Sequence, residues 1–281
     1  MYSVIRIVAA LAGCFAAVAL PATEMTENDP ARMAELESLG GKDDEASRQT
    51  LLNLVLDQNA GAWERVLAVK ALAQSKAGGS ALLKSAEEER LPAEMRASAT
   101  FACASSPVAE VRGEGAKVLP VPRTKDGKAV PPPQQLAELR GDAKAGGQVF
   151  RDPKSGQCTA CHQLGNEGQP LGPPLTKIGD KFTRRQLYES ILTPNASIAK
   201  GYEQWVVKTK AGQVFTGLIA EETKEQLRIK DSKAEYHDVP AADVARKMRQ
   251  RMGMMADNAV NLMTLQELVD LVEFLAEQKE K

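Results

Sequence analysis

The sequence predicts a mainly α-helical protein of two domains, with a small antiparallel β-sheet inserted in the second domain. Three observations support this prediction. Apolar residues recur at helical spacing from Ala46 to Leu119, a proline-rich stretch then interrupts the pattern, and the alternation typical of strands follows after residue 201. The 281 residues, 43% hydrophobic and 26% charged, can form two hydrophobic cores, and they exclude a disordered chain or a multi-span membrane protein.

The first segment, residues 1–22, is predicted to be a secretory signal peptide. It carries one charged residue before the apolar run Ile7–Leu20, which is shorter than the roughly 20 residues that span a bilayer. Cleavage is expected after Ala19 or Ala22, so the mature protein would be periplasmic or secreted, without a stable membrane span. Lipid attachment at Cys14 is the less favoured alternative, because it would give the mature chain an apolar start.

Residues 23–119 are predicted to form an array of about five short helices. Breaks between the helices are expected at Gly61, Gly78-Gly79, Pro92 and Pro107. We expect Asp43 or Asp44 to be the N-cap of the helix that contains Leu51. Stacked as antiparallel pairs, these helices would resemble a HEAT-like array and would serve as a scaffold or a docking surface.

A proline-rich linker is predicted at residues 120–140, where five prolines break the helical pattern, and we expect it to be extended. The second domain is predicted to span residues 141–281 and to begin with a helical stretch from Asp142 to Phe150. The whole chain has 36 basic and 37 acidic residues, so its charge indicates no general attraction to nucleic acid.

The segment Cys158-Thr159-Ala160-Cys161-His162 is the attachment pattern of c-type haem. Two thiols three residues apart can lie on one side of a helical turn, so each can add to one vinyl group of the same porphyrin, with His162 beneath the ring as an iron ligand. A zinc knuckle would need four Cys or His ligands, and a thioredoxin-like pair would need a βαβ context. A structural disulfide would leave the adjacent histidine unexplained. One such motif predicts one covalently attached haem c.

The residues around the motif resemble those of class I c-type cytochromes. Gly172-Pro173-Pro174-Leu175 matches their Gly-Pro-x-Leu loop, and the resemblance implies that the Pro173 carbonyl accepts the ring N–H of His162. Gly146 matches the glycine of their first helix, which permits close crossing by the last helix, expected here at residues 265–278. The resemblance therefore implies a class I cytochrome c domain.

The same resemblance implies a methionine sulfur as the sixth iron ligand, from the loop before the last helix. Aligning the start of that helix with the Met-Pro loop of the family puts Met255 on the ligand position, although Ala256 replaces the usual proline. Met254 and Met252 are the next candidates, and His237 would give a bis-histidine alternative. The remaining methionines would fill gaps in the core.

Residues 201–240 add a predicted antiparallel sheet that a minimal cytochrome lacks. With Ser190–Pro194 and Gly201–Glu203, this layout resembles the Pirellula/Verrucomicrobium-type haem-binding domain family, often found C-terminal to large propeller dehydrogenase-like modules. The resemblance implies electron transfer, with any dehydrogenase activity in a partner chain. The sheet could be a docking platform, a cover for a haem edge or stabilising filler. Tyr202 and Trp205 could bind a haem propionate or pack in the core.

Arg246, Lys247, Arg249 and Arg251 form the one dense basic run of the chain. This charge could steer an acidic redox partner, pair with haem propionates or lie on a solvated helix face. We expect an exported monohaem cytochrome that transfers electrons and is not itself an enzyme. A haem-based redox or gas sensor, with the helical array as its output, is the alternative, and a dihaem peroxidase would need a second Cys-x-x-Cys-His motif.

Overall fold

The computed structural model describes residues 29–42 and 44–280. The predicted signal peptide, with Cys14 and both cleavage sites, lies outside these residues, and so does Asp43. The described chain begins with a helical array, continues through a connecting segment, and ends in a second helical domain that carries a five-stranded sheet.

Six helices form the N-terminal array of the described chain, one more than the sequence predicts. The additional helix comes first. Asp29 caps it by accepting a hydrogen bond from Ala31 N at 3.0 Å, and Pro30 occupies its first position. Its apolar pattern is weak, which hid it in the sequence. The helices are α1 (Pro30–Gly40), α2 (Glu45–Leu56), α3 (Ala62–Leu72), α4 (Lys76–Glu87), α5 (Ala93–Ala104) and α6 (Ala109–Val118).

The array packs neighbouring helices against one another, with α2 against α3, α3 against α5, and α4 against α6. Asp44 caps α2, as predicted, by accepting from Ser47 N at 2.8 Å. Gly79 lies inside the first turn of α4, where a Cβ would overlap the Val111 side chain of α6, so this glycine permits close packing and does not end a helix. Fully buried core residues include Leu36, Leu51, Val55, Leu72, Leu82 and Met95.

The connecting segment, residues 119–132, folds back on itself, whereas the sequence predicts an extended linker. Val130 N donates to Pro122 O at 3.0 Å, and the Val130 side chain is buried in the core of the second domain. Lys125 N donates to Met263 O at 2.8 Å, which fastens the segment to that domain. The prolines do prevent a helix, but the apolar residues between them provide a buried face.

The second domain crosses its first and last long helices closely. A Cβ at Gly146 would overlap the backbone of Asp270, so only glycine allows this approach, as the resemblance implies. The rings of Phe150 and Phe274 pack beside the crossing with centroids 5.7 Å apart. The helices are α7 (Pro133–Leu136), α8 (Ala143–Arg151), α9 (Ile178–Lys181), α10 (Arg184–Leu192) and α11 (Leu265–Ala276).

A five-stranded antiparallel sheet is inserted between α10 and α11, with strand order β4-β3-β2-β1-β5. One face encloses a small core of its own, formed by Val207, Leu227, Ile229 and Val239. The strands are β1 (Trp205–Thr209), β2 (Val214–Glu222), β3 (Gln226–Lys230), β4 (Tyr236–Pro240) and β5 (Val244–Arg249).

Strand β5 corrects two sequence-based expectations. The sheet continues past residue 240 to Arg249, and the basic run therefore lies mainly on a strand, not on a helix face. β5 pairs with β1, and Lys247 extends over the Trp205 ring, with Nζ 5.1 Å from its centroid. Long basic side chains can cover apolar surface with their stems, so a charged sequence can still form a strand at the edge of a sheet.

The array and the second domain contact each other directly. Phe101 of α5 is buried in the core of the second domain, and Lys70 Nζ lies 3.0 Å from Glu189 Oε1 of α10. A third contact joins Arg251 to Glu94 of α5, with Nη1 3.7 Å from Oε1. Within the described residues, no helix combines the length and the apolar character needed to cross a membrane.

Candidate functional site

The Cys-x-x-Cys-His motif forms a single helical turn after α8. The chain enters it through Gln157, whose φ of 55° is left-handed, and a 3-10 turn spans Cys158–Ala160. His162 N then donates to Cys158 O at 2.8 Å. Both Cys158 and Cys161 are half-buried free thiols. The turn that the sequence predicts is therefore present, with its two thiols and the histidine within five residues.

His162 is held from two sides. Its Nδ1 lies 2.8 Å from Pro173 O, the contact that the resemblance implies, and Gly172 lies against the ring, where a Cβ would overlap the imidazole. Burial lowers the pKa of His162 from its ordinary value of 6.5, opposed in part by the Pro173 carbonyl. Because a carbonyl only accepts hydrogen bonds, Nδ1 carries the proton and Nε2 the lone pair. Nε2 has no hydrogen-bond partner in the described chain, so it is available to a metal.

The histidine loop, residues 169–175, is fixed to the motif by backbone hydrogen bonds. Leu171 N and Gly172 N both donate to Cys161 O, at 2.9 Å and 2.6 Å. Two further bonds, at 3.0 Å and 2.8 Å, tie the two ends of the loop to Thr159 O and Gln163 O. These contacts position the Pro173 carbonyl, and through it the orientation of the imidazole.

The two thiols are protonated at neutral pH. Burial raises the pKa of Cys158 to about 12, and burial also raises the pKa of Cys161. Zinc binding and thiol–disulfide exchange both use the thiolate form, and this burial makes that form less favourable. A group of possible metal ligands among the described residues lies in the β3–β4 hairpin and contains no residue of the motif. It consists of Asp231, Glu235 and His237, whose ligand atoms lie within 4.8 Å of one another.

The surroundings of the motif fit a porphyrin. Four half-buried side chains, Cys158, Leu164, Leu175 and Met255, pack against the buried core of the second domain. The cluster thus combines apolar side chains with a thiol of the motif, and His162, four residues after that thiol, adds an available Nε2. An apolar site of this kind limits access of water to a haem.

The methionine loop, residues 250–258, is anchored by other elements. Asn195, buried after α10, accepts from Gly253 N at 2.7 Å through Oδ1, and Gln250 N donates to Gln204 O at 2.7 Å. Of the three methionines in this loop, only Met255 packs against the core of the second domain that also contacts Cys158. Met252 and Met254 are half-buried outside that cluster. The assignment of Met255 as the sixth iron ligand stays a prediction.

His237, the bis-histidine alternative, is engaged on the sheet. Its Nε2 lies 2.8 Å from Asp231 Oδ2, and its ring packs 5.1 Å from the Phe215 ring. Its described contacts are thus with the sheet and the β3–β4 hairpin, and they do not bring it to the motif.

Tyr202 and Trp205 lie at the start of the sheet. Trp205 is half-buried at the first position of β1, beneath Lys247, and Tyr202 is half-buried with its backbone N donating to Ala199 O at 3.0 Å. No contact within the described residues joins either side chain to the Cys-x-x-Cys-His turn. Propionate binding by these two residues stays a prediction.

Three supports of the site were not recognised in the sequence. Asn195 holds the methionine loop, Glu94 contacts Arg251 at the start of that loop, and Lys230 of β3 donates to Pro170 O in the histidine loop at 2.9 Å. Asn195 directly follows the Thr193-Pro194 pair of the matching segment, which was a usable signal. The other two contacts join distant parts of the chain, and no local pattern marks them.

Comparison with known proteins agrees with this geometry. The cytochrome c family model matches residues 143–227, a range that spans α8, the Cys-x-x-Cys-His motif, the histidine loop and the sheet as far as β3. No curated protein matches the chain. The matched family implies covalently bound haem c, a redox partner and a role in electron transfer. The match supports a c-type cytochrome domain in the second half of the chain.

Proposed function

We propose that the chain is an exported monohaem cytochrome that passes single electrons to or from a dehydrogenase on another chain. The observation that carries this proposal is the contact of His162 Nδ1 with Pro173 O within an intact Cys-x-x-Cys-His turn. It leaves Nε2 of a neutral imidazole available beside two thiols. The protein acts as a carrier and not as an enzyme, and one motif holds one haem.

In this proposal Cys158 and Cys161 would hold the haem through thioether bonds, and His162 and Met255 would bind its iron. The bound haem supplies the one-electron change between ferric and ferrous iron. The Pro173 carbonyl keeps the proton on Nδ1 and raises the basicity of Nε2. A thioether ligand opposite the histidine favours the ferrous state, so we expect a relatively high reduction potential.

The helical array acts in this proposal as a HEAT-like scaffold, and the second domain belongs to the Pirellula/Verrucomicrobium-type haem-binding group. Support comes from the succession of paired short helices and from the sheet inserted between α10 and α11. A signal peptide at residues 1–22 would direct the protein to the periplasm, where covalent haem attachment and a dehydrogenase partner would both be available.

A haem-based redox or gas sensor is the second candidate. It is favoured by the contact between Glu94 of the array and Arg251 beside the methionine loop, because a change at the sixth ligand could reach the array through this pair. Rapid binding of carbon monoxide by the ferrous protein would support the sensor. A ferrous protein that resists carbon monoxide supports the electron carrier, because its sixth position is then already filled.

The pyridine haemochrome assay on purified protein tests the proposal. We expect one covalently bound haem per chain and a reversible one-electron redox titration. The double variant Cys158→Ala/Cys161→Ala should carry no covalent haem, whereas Cys103→Ala, which removes a buried cysteine of the array, should keep it. Wild-type protein without covalent haem would refute the proposed function.

A further inference from the structure

Lys230, the last residue of β3, is almost completely buried, with 6% of its surface exposed. Its Nζ donates to Pro170 O at 2.9 Å and lies 5.2 Å from the centroid of the Tyr236 ring. In the part of the chain that the structure describes, no carboxylate lies within ion-pairing distance of this nitrogen. Burying an ammonium group without a counter-charge costs free energy, so a simple packing role would be served better by an apolar side chain.

The contact joins the inserted sheet to the histidine loop. Pro170 directly precedes the two residues whose N–H groups bond to Cys161 O, and Pro173 follows in the same loop with its carbonyl on His162. The loop is short, and its ends are bonded to Thr159 in the motif and to Gln163 directly after it. A displacement of Pro170 would therefore be passed on to the carbonyl that orients the imidazole.

The strands fix the position from which Lys230 reaches the loop. Lys230 pairs with Leu218 on β2 and with Tyr236 on β4, so β3 is held on both sides at this point. At Gly217 a Cβ would overlap the Lys230 carbonyl, which shows how closely β2 approaches. The backbone of Lys230 is thus held in place, and its side chain acts as a short tether.

We propose that Lys230 is a positioning residue for the haem site. It holds the histidine loop in the orientation that presents Nε2 of His162, and it would keep a positive charge beside this loop when haem is bound. The inference rests on the proposed electron-transfer function and extends it, because it gives the inserted sheet a role in setting the reduction potential. A fixed positive charge favours ferrous iron, which carries one positive charge fewer than ferric iron.

The test compares reduction potentials of holoproteins with covalently bound haem. Lys230→Met removes the charge and the donor, and should shift the ferrous-to-ferric ratio at a given potential by about tenfold towards ferric. Lys230→Arg keeps both and should retain the wild-type potential. Lys208→Met removes the same charge from an exposed position on the same sheet and should shift the ratio by less than about twofold, because solvent screens exposed charges.

A proton NMR spectrum of the ferric protein distinguishes a change in the orientation of the His162 ring from the mere loss of one positive charge. The hyperfine-shifted resonances of the His162 ring should move in Lys230→Met and stay in place in Lys208→Met. A potential in Lys230→Met equal to that of Lys208→Met would overturn the proposal. If Lys230→Met does not accumulate, Lys230→Gln replaces it, because it also removes the charge. A wild-type reduction potential in Lys230→Gln would likewise overturn the proposal. Failure of the proposed function itself would be recognised separately, as wild-type protein without covalent haem.

Discussion

The histidine loop and the methionine loop approach the site in different ways. The histidine loop is fixed by backbone hydrogen bonds to the motif, only a few residues away in sequence. The methionine loop, at residues 250–258, has its anchors elsewhere: Asn195 after α10, Gln204 before β1 and Glu94 in the array. His162 is thus positioned by local contacts and Met255 by long-range contacts. Substitutions far from the site should therefore affect Met255 more than His162.

Loss of the methionine sulfur should give the largest effect. We expect Met255→Ala to abolish the far-red absorption band of sulfur-ligated ferric haem and to lower the reduction potential, because Met255 packs against the core that contacts Cys158. The matched variant Met254→Ala should keep the band. The reverse result, measured by absorption spectroscopy of the two ferric proteins, would reassign the ligand.

Removal of the charge on Glu94 should show that the methionine loop depends on the array. Glu94 is buried, with Oε1 3.0 Å from Arg65 Nη1 and 3.7 Å from Arg251 Nη1. Glu94→Gln leaves a buried arginine without its counter-charge, which should lower the free energy of unfolding by about 3–5 kcal/mol. It should also weaken the far-red band.

The control for this variant is Glu110→Gln, which breaks an exposed pair with Lys76 on the same array. Denaturant unfolding of this control should match the wild type within error. If Glu94→Gln were destabilised while its far-red band stayed at full intensity, Glu94 would support only the array. It would then not be an anchor of the methionine loop.

A methyl group at Gly172 tests the local support of the histidine loop. The added Cβ would overlap the His162 ring, so Gly172→Ala should lower the free energy of unfolding by about 1–3 kcal/mol. Gly113→Ala is the control, since a Cβ at this helical position in α6 meets open space and should be neutral or slightly stabilising. Equal stability of the two variants in chemical denaturation would show that the loop can move away from the ring.

Acid should weaken the packing of α10 against α11, with a smaller effect. Hydrogen bonds from Arg184 of α10 lower the pKa of Glu273 on α11 below its ordinary 4.5. Because the folded pKa lies below the unfolded value, the stabilising contribution is present above pH 4.5 and is lost as the pH falls through the folded pKa. Glu273→Gln should therefore reduce the acid sensitivity of unfolding, measured by thermal denaturation across this range. Glu280→Gln, at an exposed carboxylate, should keep the wild-type profile.

The sequence predicted what depends on short-range patterns. The motif turn, the cap at Asp44 and the start of the last helix at Leu265 follow from residues close together in the chain. The close crossing at Gly146 follows from the resemblance to class I cytochromes, and the structure has all four features. The first four strands were also predicted, from β-branched, aromatic and polar residues in short runs separated by turn residues.

The parts that were missed depend on distant partners. In the sequence, β5 is a run of basic residues without a strand pattern. It forms a strand because it pairs with the edge of β1. The connecting segment contains enough proline to suggest an extended linker, but burial of Val130 and the bond from Lys125 to Met263 fold it onto the second domain. The same holds for the bond from Lys230 to Pro170, since a single lysine in a strand gives no sign of what its side chain will reach.

The bond between Lys125 N and Met263 O also bears on how electrons reach the haem. It fastens the connecting segment to the residue that ends the 3-10 turn before α11, while Phe101 of α5 inserts into the core of the second domain. The array is therefore held against the second domain and is not connected to it by a flexible linker alone. A partner that docks on it would meet the cytochrome domain at one distance and one orientation, and because electron transfer slows steeply with distance, that constant geometry would give each encounter the same transfer rate.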